Sequence, residues 1–253
     1  MRGLEGKRAI VTGGSGGIGR EICRRFGAEG TEVVIFDLDA AGGQETARMV
    51  VEAGGRASAH RVDISDRAAV DAALKDVEAQ GAVDILVNNA GWDRPIPFLE
   101  TDADFWKKVI DINLYGPLNM HHAVLPGMIA NGGGCIVNVS SDAGRVGSSG
   151  EAVYSACKGG IIAFSKTIAR ELARKNIRVN TVCPGPTDTN LLAEFRTGDA
   201  GDKILEGMKR AIPMRRIGQP SDYPGIVCFL ASDDAAFILG QTISVSGGLT
   251  MHG

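Results

Sequence analysis

The chain is poor in aromatic residues and in histidine, and it has no long hydrophobic run. Aromatic side chains make up 5% of its 253 residues, and four histidines are present. No apolar stretch reaches the ~18 residues typical of a membrane-spanning helix, and the amino-terminal residues lack the apolar segment of a secretory signal. We therefore expect no membrane partner and a cytoplasmic location.

The five cysteines are odd in number and widely scattered. No pair among them has the spacing of a zinc site or a redox motif, which favours reduced thiols in an intracellular protein. The neighbouring His121 and His122 do not indicate a metal site, because adjacent residues on a helix point about 100° apart. Neither histidine has a chelating partner four residues away, so we expect no metal.

Charge is nearly balanced, with a formal net charge of −3. A balance of this kind does not favour binding to nucleic acids or anionic membranes, so neither is expected as a partner. The length permits one large α/β domain or two small ones. A chain of this size buries roughly three quarters of its unfolded surface, so a sizeable core is expected.

Short β-branched runs alternate with longer helical patterns. Strands are predicted at 8–12, 32–36, 57–62, 85–88, 135–139, 178–182 and 242–245, and helices near 17–29, 40–53, 67–80, 102–130, 152–175 and 221–231. This alternation predicts an α/β fold: a doubly wound Rossmann domain with a seven-stranded parallel sheet flanked by helices on both faces. No linker or internal repeat divides the chain, so residues 1–253 are expected to form a single domain.

One connection is unusually long. Residues from about 187 to 218 lie between two core strands and contain the polar stretch RTGDAGDK. We expect a substrate lid here, since such segments often cover active sites and exclude water. A solvated surface loop is the alternative.

A glycine-rich turn follows the first strand and opens the first helix. Glycines let the backbone approach a pyrophosphate closely, and the helix amino terminus offers free N–H groups to it. A glycine pattern in this strand–turn–helix setting predicts a dinucleotide site. The predicted contacts in the turn are Gly13, Ser15, Gly17, Ile18 and Gly19.

Asp37 closes the second strand and indicates which dinucleotide is bound. A carboxylate at this point accepts hydrogen bonds from the adenosine ribose hydroxyls and repels a 2′-phosphate. No Arg or Lys stands in the turn or just after Asp37. The sequence therefore favours NAD over NADP. The neighbouring Asp39 is expected to cap a helix instead.

Tyr154 and Lys158 stand four residues apart, which places an ammonium beside a phenol on one helix face. A free phenol has a pKa of about 10. A nearby cation favours the phenolate, so we expect Lys158 to lower the pKa of Tyr154. The pair suits proton exchange with an alcohol oxygen.

Several motifs in their order and spacing resemble those of the short-chain dehydrogenase/reductase family. They are TGGSGGIG at 12–19, NNAG at 88–91, Asn113, NVSS at 138–141, YSACK at 154–158 and CPGPTDT at 183–189. The resemblance spans essentially the whole chain. It implies a nicotinamide-dependent oxidoreductase that interconverts secondary alcohols and ketones, and it implies a homotetramer.

The resemblance also implies four catalytic roles. Tyr154 exchanges the proton with the substrate, and Lys158 tunes Tyr154 and holds the nicotinamide ribose. Ser141 polarises the substrate oxygen, and Asn113 positions a water that links Lys158 to solvent. Further cofactor contacts carried over from the family are Asp63, Ile64, Asn89, Ala90, Gly91, Pro184, Gly185, Thr187 and Thr189.

The substrate is the least determined feature. The resemblance implies a pocket built from Trp92, Arg145, Ser148 and Ser149. Several segments resemble the NAD-dependent branch that oxidises ring β-hydroxyacyl-CoA thioesters, the 2-hydroxycyclohexanecarboxyl-CoA dehydrogenases, so an acyl-CoA substrate is expected. Alternatives are an NADPH-dependent 3-oxoacyl-thioester reductase, a sugar or diol dehydrogenase, and a non-catalytic dinucleotide-binding regulator. Basic residues that could meet CoA phosphates, or could merely be solvated, are Lys203, Lys209, Arg210, Arg215 and Arg216.

Overall fold

A seven-stranded, all-parallel sheet forms the centre of the molecule. The computed structural model describes residues 1–189, 192 and 198–251, with backbone only at 198–204. The strand order is β3-β2-β1-β4-β5-β6-β7. The strands are β1 Arg8–Thr12, β2 Glu32–Asp37, β3 Arg56–Arg61, β4 Ile85–Asn88, β5 Gly134–Val139, β6 Ile177–Pro184 and β7 Thr242–Val245. The predicted fold class is confirmed.

Helices cover both faces of the sheet. They are α1 Gly17–Ala28, α2 Ala40–Glu52, α3 Arg67–Glu78, α4 Ala103–Ile110, α5 Gly116–Ala130, α6 Ala143–Val146, α7 Ala152–Leu172, α8 Gly198–Ala211 and α9 Pro224–Ala231. Asp39 caps α2 as expected, accepting a hydrogen bond from the Gly42 N–H at 3.0 Å. In the described residues, none of these helices is long and apolar enough to cross a membrane.

The helices of the structure differ from the prediction in two ways. The single helix expected over 102–130 is divided by a wider, π-helical turn at Asp111–Tyr115. The short helix α6 and the helix α8 were not predicted, because both lie in segments whose polar and glycine residues suggested loops. Part of the expected lid, residues 190, 191 and 193–197, lies outside the described residues.

Two apolar layers hold the helices to the sheet. Ile22, Phe26 and Val227 pack on one face, and Met120 and Val124 pack on the other, all fully buried. Each such side chain contributes about 1.5–3 kcal/mol when it leaves water. The chain reverses its winding direction between β1 and β4, so the carboxyl ends of these two strands flank a crevice. Ligands of doubly wound folds bind at such a crevice.

Candidate active site

The glycine turn is shaped by close backbone approaches. Gly13 and Gly17 have φ of 67° and 52°, a region that L-residues with a Cβ rarely adopt. A Cβ on Gly19 would stand 2.0 Å from the Gly13 carbonyl oxygen. No acidic side chain occupies the first turn of α1. The turn therefore leaves free N–H groups and a positive dipole end for an anionic ligand.

Asn89 ties this turn to the end of β4. Its side-chain amide donates to the Thr12 and Gly13 carbonyls at 3.1 and 3.0 Å. In return, the Thr12 hydroxyl accepts the backbone N–H groups of Asn89 and Ala90, both at 3.1 Å. The contacts of Asn89 in this structure are thus structural, although it also borders the cavity described below.

Asp37 lies beside the turn, where the sequence predicts the ribose. Its carboxylate accepts the Ser15 N–H at 2.9 Å and the Asp39 N–H at 3.0 Å. These bonds fix the carboxylate and leave part of it accessible, since Asp37 is half-buried. A fixed negative charge at this point favours hydroxyl donors and repels a phosphate.

Ser141, Tyr154 and Lys158 come together at the carboxyl end of β5. Tyr154 and Lys158 are 7% and 4% exposed, and the Lys158 Nζ lies 5.4 Å from the Tyr154 ring centroid. The Ser141 hydroxyl accepts the Ala143 N–H at 3.1 Å, and Ser141 and Tyr154 line the same cavity. Lys158 donates to the Val139 carbonyl at 3.1 Å, which fixes its ammonium behind the phenol.

Several effects act on the pKa of Tyr154 in the folded chain. Burial raises it above the ordinary value, the charge of Glu151 adds to the rise, and the hydrogen bond with Ser141 opposes it. Burial also lowers the pKa of Lys158 to about 8. Burial and the neighbouring acids therefore govern the pKa of Tyr154 in the chain alone, and its lowering by Lys158 stays a prediction.

Asn113 lies in the π-helical turn and is fully buried. Its amide donates to the Trp92 and Val109 carbonyls at 2.6 and 2.9 Å, and its carbonyl oxygen accepts the Trp92 N–H. A Cβ on Gly91 would stand 2.9 Å from that oxygen and 3.3 Å from the Lys158 Nζ. The missing side chain of Gly91 thus keeps space beside the ammonium, which fits a nicotinamide dinucleotide.

A cavity of about 670 Å³ joins these groups. It runs from Ile18 at the start of α1 past Ser141, Tyr154 and Lys158. Beyond them, its wall is mainly apolar. Val146 and the expected lid segment contribute to it, whereas the residues after β7 were not predicted, because they are distant in the sequence. The apolar residues of that wall are Val146, Leu192, Met208, Leu249 and Met251.

Residues after β6 border the cavity as well. They include four residues predicted to bind the cofactor, Pro184, Gly185, Thr187 and Thr189. Around Thr187, the Gly218 N–H donates to the Pro186 carbonyl and the Asp188 N–H to the Gly218 carbonyl, both at 2.9 Å. The Thr187 hydroxyl is paired with the buried Tyr223 hydroxyl. The Thr187 carbonyl accepts the Thr189 hydroxyl at 3.4 Å, so the side chain and the carbonyl of Thr187 are both engaged within the protein.

Arg145 does not line the cavity, contrary to expectation. Its guanidinium donates to the Ser244 hydroxyl at 2.9 Å and to the Thr242 carbonyl at 3.4 Å. Ser244 in turn donates to the buried Asp142. Arg145 thus anchors the segment after β5 to β7. Ser148, by contrast, lines the cavity as predicted, whereas the exposed Ser149 does not.

Trp92 also packs away from the cavity. Its ring meets Phe105 edge-on at 5.8 Å, and the Lys108 Nζ lies 3.7 Å above it. The predicted adenine contacts after β3 are engaged locally too. Asp63 accepts the Ser65 N–H and hydroxyl, and Ile64 is buried, with Gly116 against it.

The basic residues considered for CoA phosphates are mostly engaged nearby. Lys209 pairs with Glu206 at 2.7 Å, and Arg216 forms a two-bond pair with Asp222. Arg215 donates to the Arg210 carbonyl, and the Lys203 side chain lies outside the described residues. Among the residues that the structure describes, no three His, Cys, Asp or Glu side chains group as a metal site.

The fold and the site define an oxidoreductase that binds a nicotinamide dinucleotide. A family model described as enoyl-(acyl carrier protein) reductase matches residues 13–250. The chain belongs to the short-chain dehydrogenase/reductase family, whose members act on hydroxyl and keto groups.

Two relatives are named 3-oxoacyl-[acyl-carrier-protein] reductase. The protein of Staphylococcus aureus strain N315 is 40% identical over 250 residues, covering 97% of this chain and 98% of that protein. The protein of Chlamydia trachomatis is 38% identical over 248 residues, with the same coverage of each chain. These names support the alternative of a 3-oxoacyl-thioester reductase better than the expected ring hydroxyacyl-CoA dehydrogenase.

Solved structures agree on the fold. A short-chain dehydrogenase/reductase from Burkholderia xenovorans superposes with a TM-score of 0.93 at 37% identity, covering 97% of each chain. A 7α-hydroxysteroid dehydrogenase in complex with NADH and a 7-oxo bile acid superposes with a TM-score of 0.91 at 34% identity, covering 97% of this chain and 94% of that chain.

Proposed function

We propose that the chain interconverts 3-oxoacyl and 3-hydroxyacyl thioesters with NAD(H). The observation that carries this proposal is the cavity in which Ser141, Tyr154 and Lys158 face an apolar extension. An acyl chain or ring would lie along that extension, and its 3-oxygen would lie at Tyr154. The names of the relatives support a thioester as the activated end of the substrate.

Each catalytic side chain has a task in this proposal. The bound dinucleotide supplies or removes the hydride at the carbon. In the reductive direction, Tyr154 donates its phenolic proton to the oxygen, and Ser141 stabilises the negative charge that develops there. Lys158 holds its ammonium behind Tyr154. Asn113 would position a water that links the Lys158 ammonium to solvent.

Asp37 supports NAD(H) as the cofactor. The carboxylate is fixed by the Ser15 and Asp39 amides, and the adjacent Gly16 carries no side chain that could neutralise it. A 2′-phosphate would be repelled by the negative charge of Asp37.

The proposal includes an assembled, cytoplasmic enzyme of one domain, with the segment at 187–218 as its lid. Homotetramer formation is supported by the sheet edge at β7 and by Phe237, which precedes that strand in the sequence and is fully exposed. An exposed strand edge and a large apolar side chain are ordinarily covered in the functional state.

A substrate panel followed by NADH absorbance tests the proposal. It compares acetoacetyl-CoA, the same acyl group on acyl carrier protein, 2-oxocyclohexanecarboxyl-CoA, free acetoacetate and a 7-oxo bile acid. We expect turnover of the thioesters and at least tenfold lower kcat/KM for the free acid and the steroid. Turnover of the bile acid or of free acetoacetate, without turnover of any thioester, would overturn it.

A further inference from the structure

Two acidic residues beside the catalytic tyrosine have no part in the mechanism above. Glu151 directly precedes α7, one turn before Tyr154, and it borders the main cavity. Asp93 follows the NNAG motif on the other side and is 2% exposed. Neither residue has an ion-pair partner in the part of the chain that the structure describes.

The two acids face the same narrow crevice. The Ile96 N–H donates to the Gly150 carbonyl at 2.9 Å, which joins their two segments. Both residues line the crevice between these segments, and it has no room for a water molecule. The Oδ2 of Asp93 is buried without any hydrogen-bond partner. A buried oxygen in that position is costly and invites a functional explanation.

Among the described residues, no nearby cation forms an ion pair with either acid, although the charge of Lys158 partly offsets the rise in the pKa of Asp93. The Lys158 ammonium donates to the Val139 carbonyl. On the outer side, Lys108 lies over the Trp92 ring and Arg94 lies 6.0 Å from the Phe105 ring centroid. The other groups around Tyr154 are the Ser141 hydroxyl and the Cys183 thiol, and both are uncharged at neutral pH.

The pKa values of Asp93, Glu151 and Tyr154 agree with this arrangement. Burial raises the pKa of Asp93 to about 7; a hydrogen bond from the Arg94 backbone and the charge of Lys158 oppose the rise, and the charge of Glu151 adds to it. Burial raises the pKa of Glu151, and a hydrogen bond with Ser148 opposes the rise. Both carboxylates raise the pKa of Tyr154, Glu151 more than Asp93.

We propose that Asp93 and Glu151 are positioning residues whose negative charge keeps Tyr154 protonated. The tyrosine is then ready to donate a proton to a ketone, and it accepts a proton from an alcohol only at higher pH. This inference deepens the proposed function and rests on it. Near neutral pH, the acidic pair would then favour reduction of the ketone over oxidation of the alcohol.

The test is the pH profile of kcat/KM for oxidation of 3-hydroxybutyryl-CoA by NAD, measured for the unmodified chain, Glu151→Gln and Asp93→Asn. Removing a like charge favours the phenolate, so the rising limb should move to lower pH by roughly half to one unit. Glu151→Gln should shift it further than Asp93→Asn. Glu100→Gln, an exposed acid in the same loop, serves as the control and should leave the profile unchanged.

Profiles that superimpose on that of the unmodified chain, or that move to higher pH, would overturn the inference. A lower melting temperature with an unmoved profile would assign a purely structural role and overturn it as well. Absence of thioester turnover in the unmodified chain would instead count against the proposed function. In that case, the pH at which tyrosinate absorbance appears gives the same comparison without turnover. The Tyr154→Phe variant identifies the contribution of Tyr154, since the chain has only three tyrosines.

Discussion

The cofactor side and the substrate side of the cavity are built in different ways. On the cofactor side, one contiguous turn and the ends of β1, β2 and β4 are joined by main-chain hydrogen bonds, with Asn89 and Asp37 as the side-chain links. On the substrate side, the wall consists of single apolar side chains from separate segments, including Val146, Met208 and Leu249.

This difference determines how each side responds to substitution. A main-chain turn tolerates little change, because its shape depends on atoms that are already in contact. A wall of separate apolar side chains can repack, so its changes alter preference more gradually. The predictions below compare the two sides, and Tyr154, which stands where they meet, comes first.

Tyr154→Phe should have the largest effect. Removing the phenolic oxygen removes the proton donor, so kcat should fall at least about a hundredfold, within the range of general acid–base residues. NADH binding should be unchanged, since the ring still fills its place. The measurement is kcat from the thioester assay together with the Kd for NADH by fluorescence. Activity close to that of the unmodified chain would disprove the assigned role.

Gly19→Ala should weaken cofactor binding strongly. Its Cβ would stand 2.0 Å from the Gly13 carbonyl oxygen, and an overlap of that kind costs about 1–3 kcal/mol. We expect the Kd for NADH to rise about tenfold or more. Gly16→Ala is the matched control, because Gly16 has extended backbone and its Cβ would meet nothing within 4 Å. Equal effects of the two substitutions would contradict the role of close packing.

Asp37→Ser should relax the choice of cofactor. Without the fixed carboxylate, a 2′-phosphate is no longer repelled, so the NADH preference over NADPH should fall about tenfold. Adding Gly16→Arg should lower it further, because the position has room for a cationic side chain. Asp39→Ala is the control: losing this helix cap costs about 1 kcal/mol of stability but should leave the cofactor ratio unchanged.

Arg145→Gln should have the smallest effect on catalysis. The guanidinium anchors β7 and does not line the cavity, so KM for the thioester should change less than about twofold. Stability should fall by about 1–3 kcal/mol, because the Ser244 and Thr242 partners lose their donor. Denaturant unfolding and KM together check this. A large KM increase at unchanged stability would restore the sequence prediction of a substrate contact.

The same comparison explains what the sequence could predict. The strands and the glycine turn were predictable, because apolar runs and glycines report directly on buried strands and close backbone approach. Asp37 was predictable as well, because it is the polar residue that ends an apolar strand. Arg145 was not, because its partners lie about a hundred residues away on β7.

The π-helical turn around Asn113 and the raised pKa of Tyr154 could not be predicted from the sequence either. Spacing places Lys158 beside the phenol, but the sequence does not reveal how completely the pair is removed from water. Asp93 and Glu151 were also missed as electrostatic partners, because only the fold brings the end of β4 against the start of α7. Sequence patterns predict which side chains are neighbours on one element, but they do not predict how far those side chains are removed from water.

The most direct test of the account is a comparison of NADH and NADPH in the unmodified chain. Both are measured as kcat/KM with the same 3-oxoacyl thioester under identical conditions. The account predicts at least a tenfold preference for NADH, because the Asp37 carboxylate is fixed beside the turn, where it repels a 2′-phosphate. Equal values, or a preference for NADPH, would contradict it.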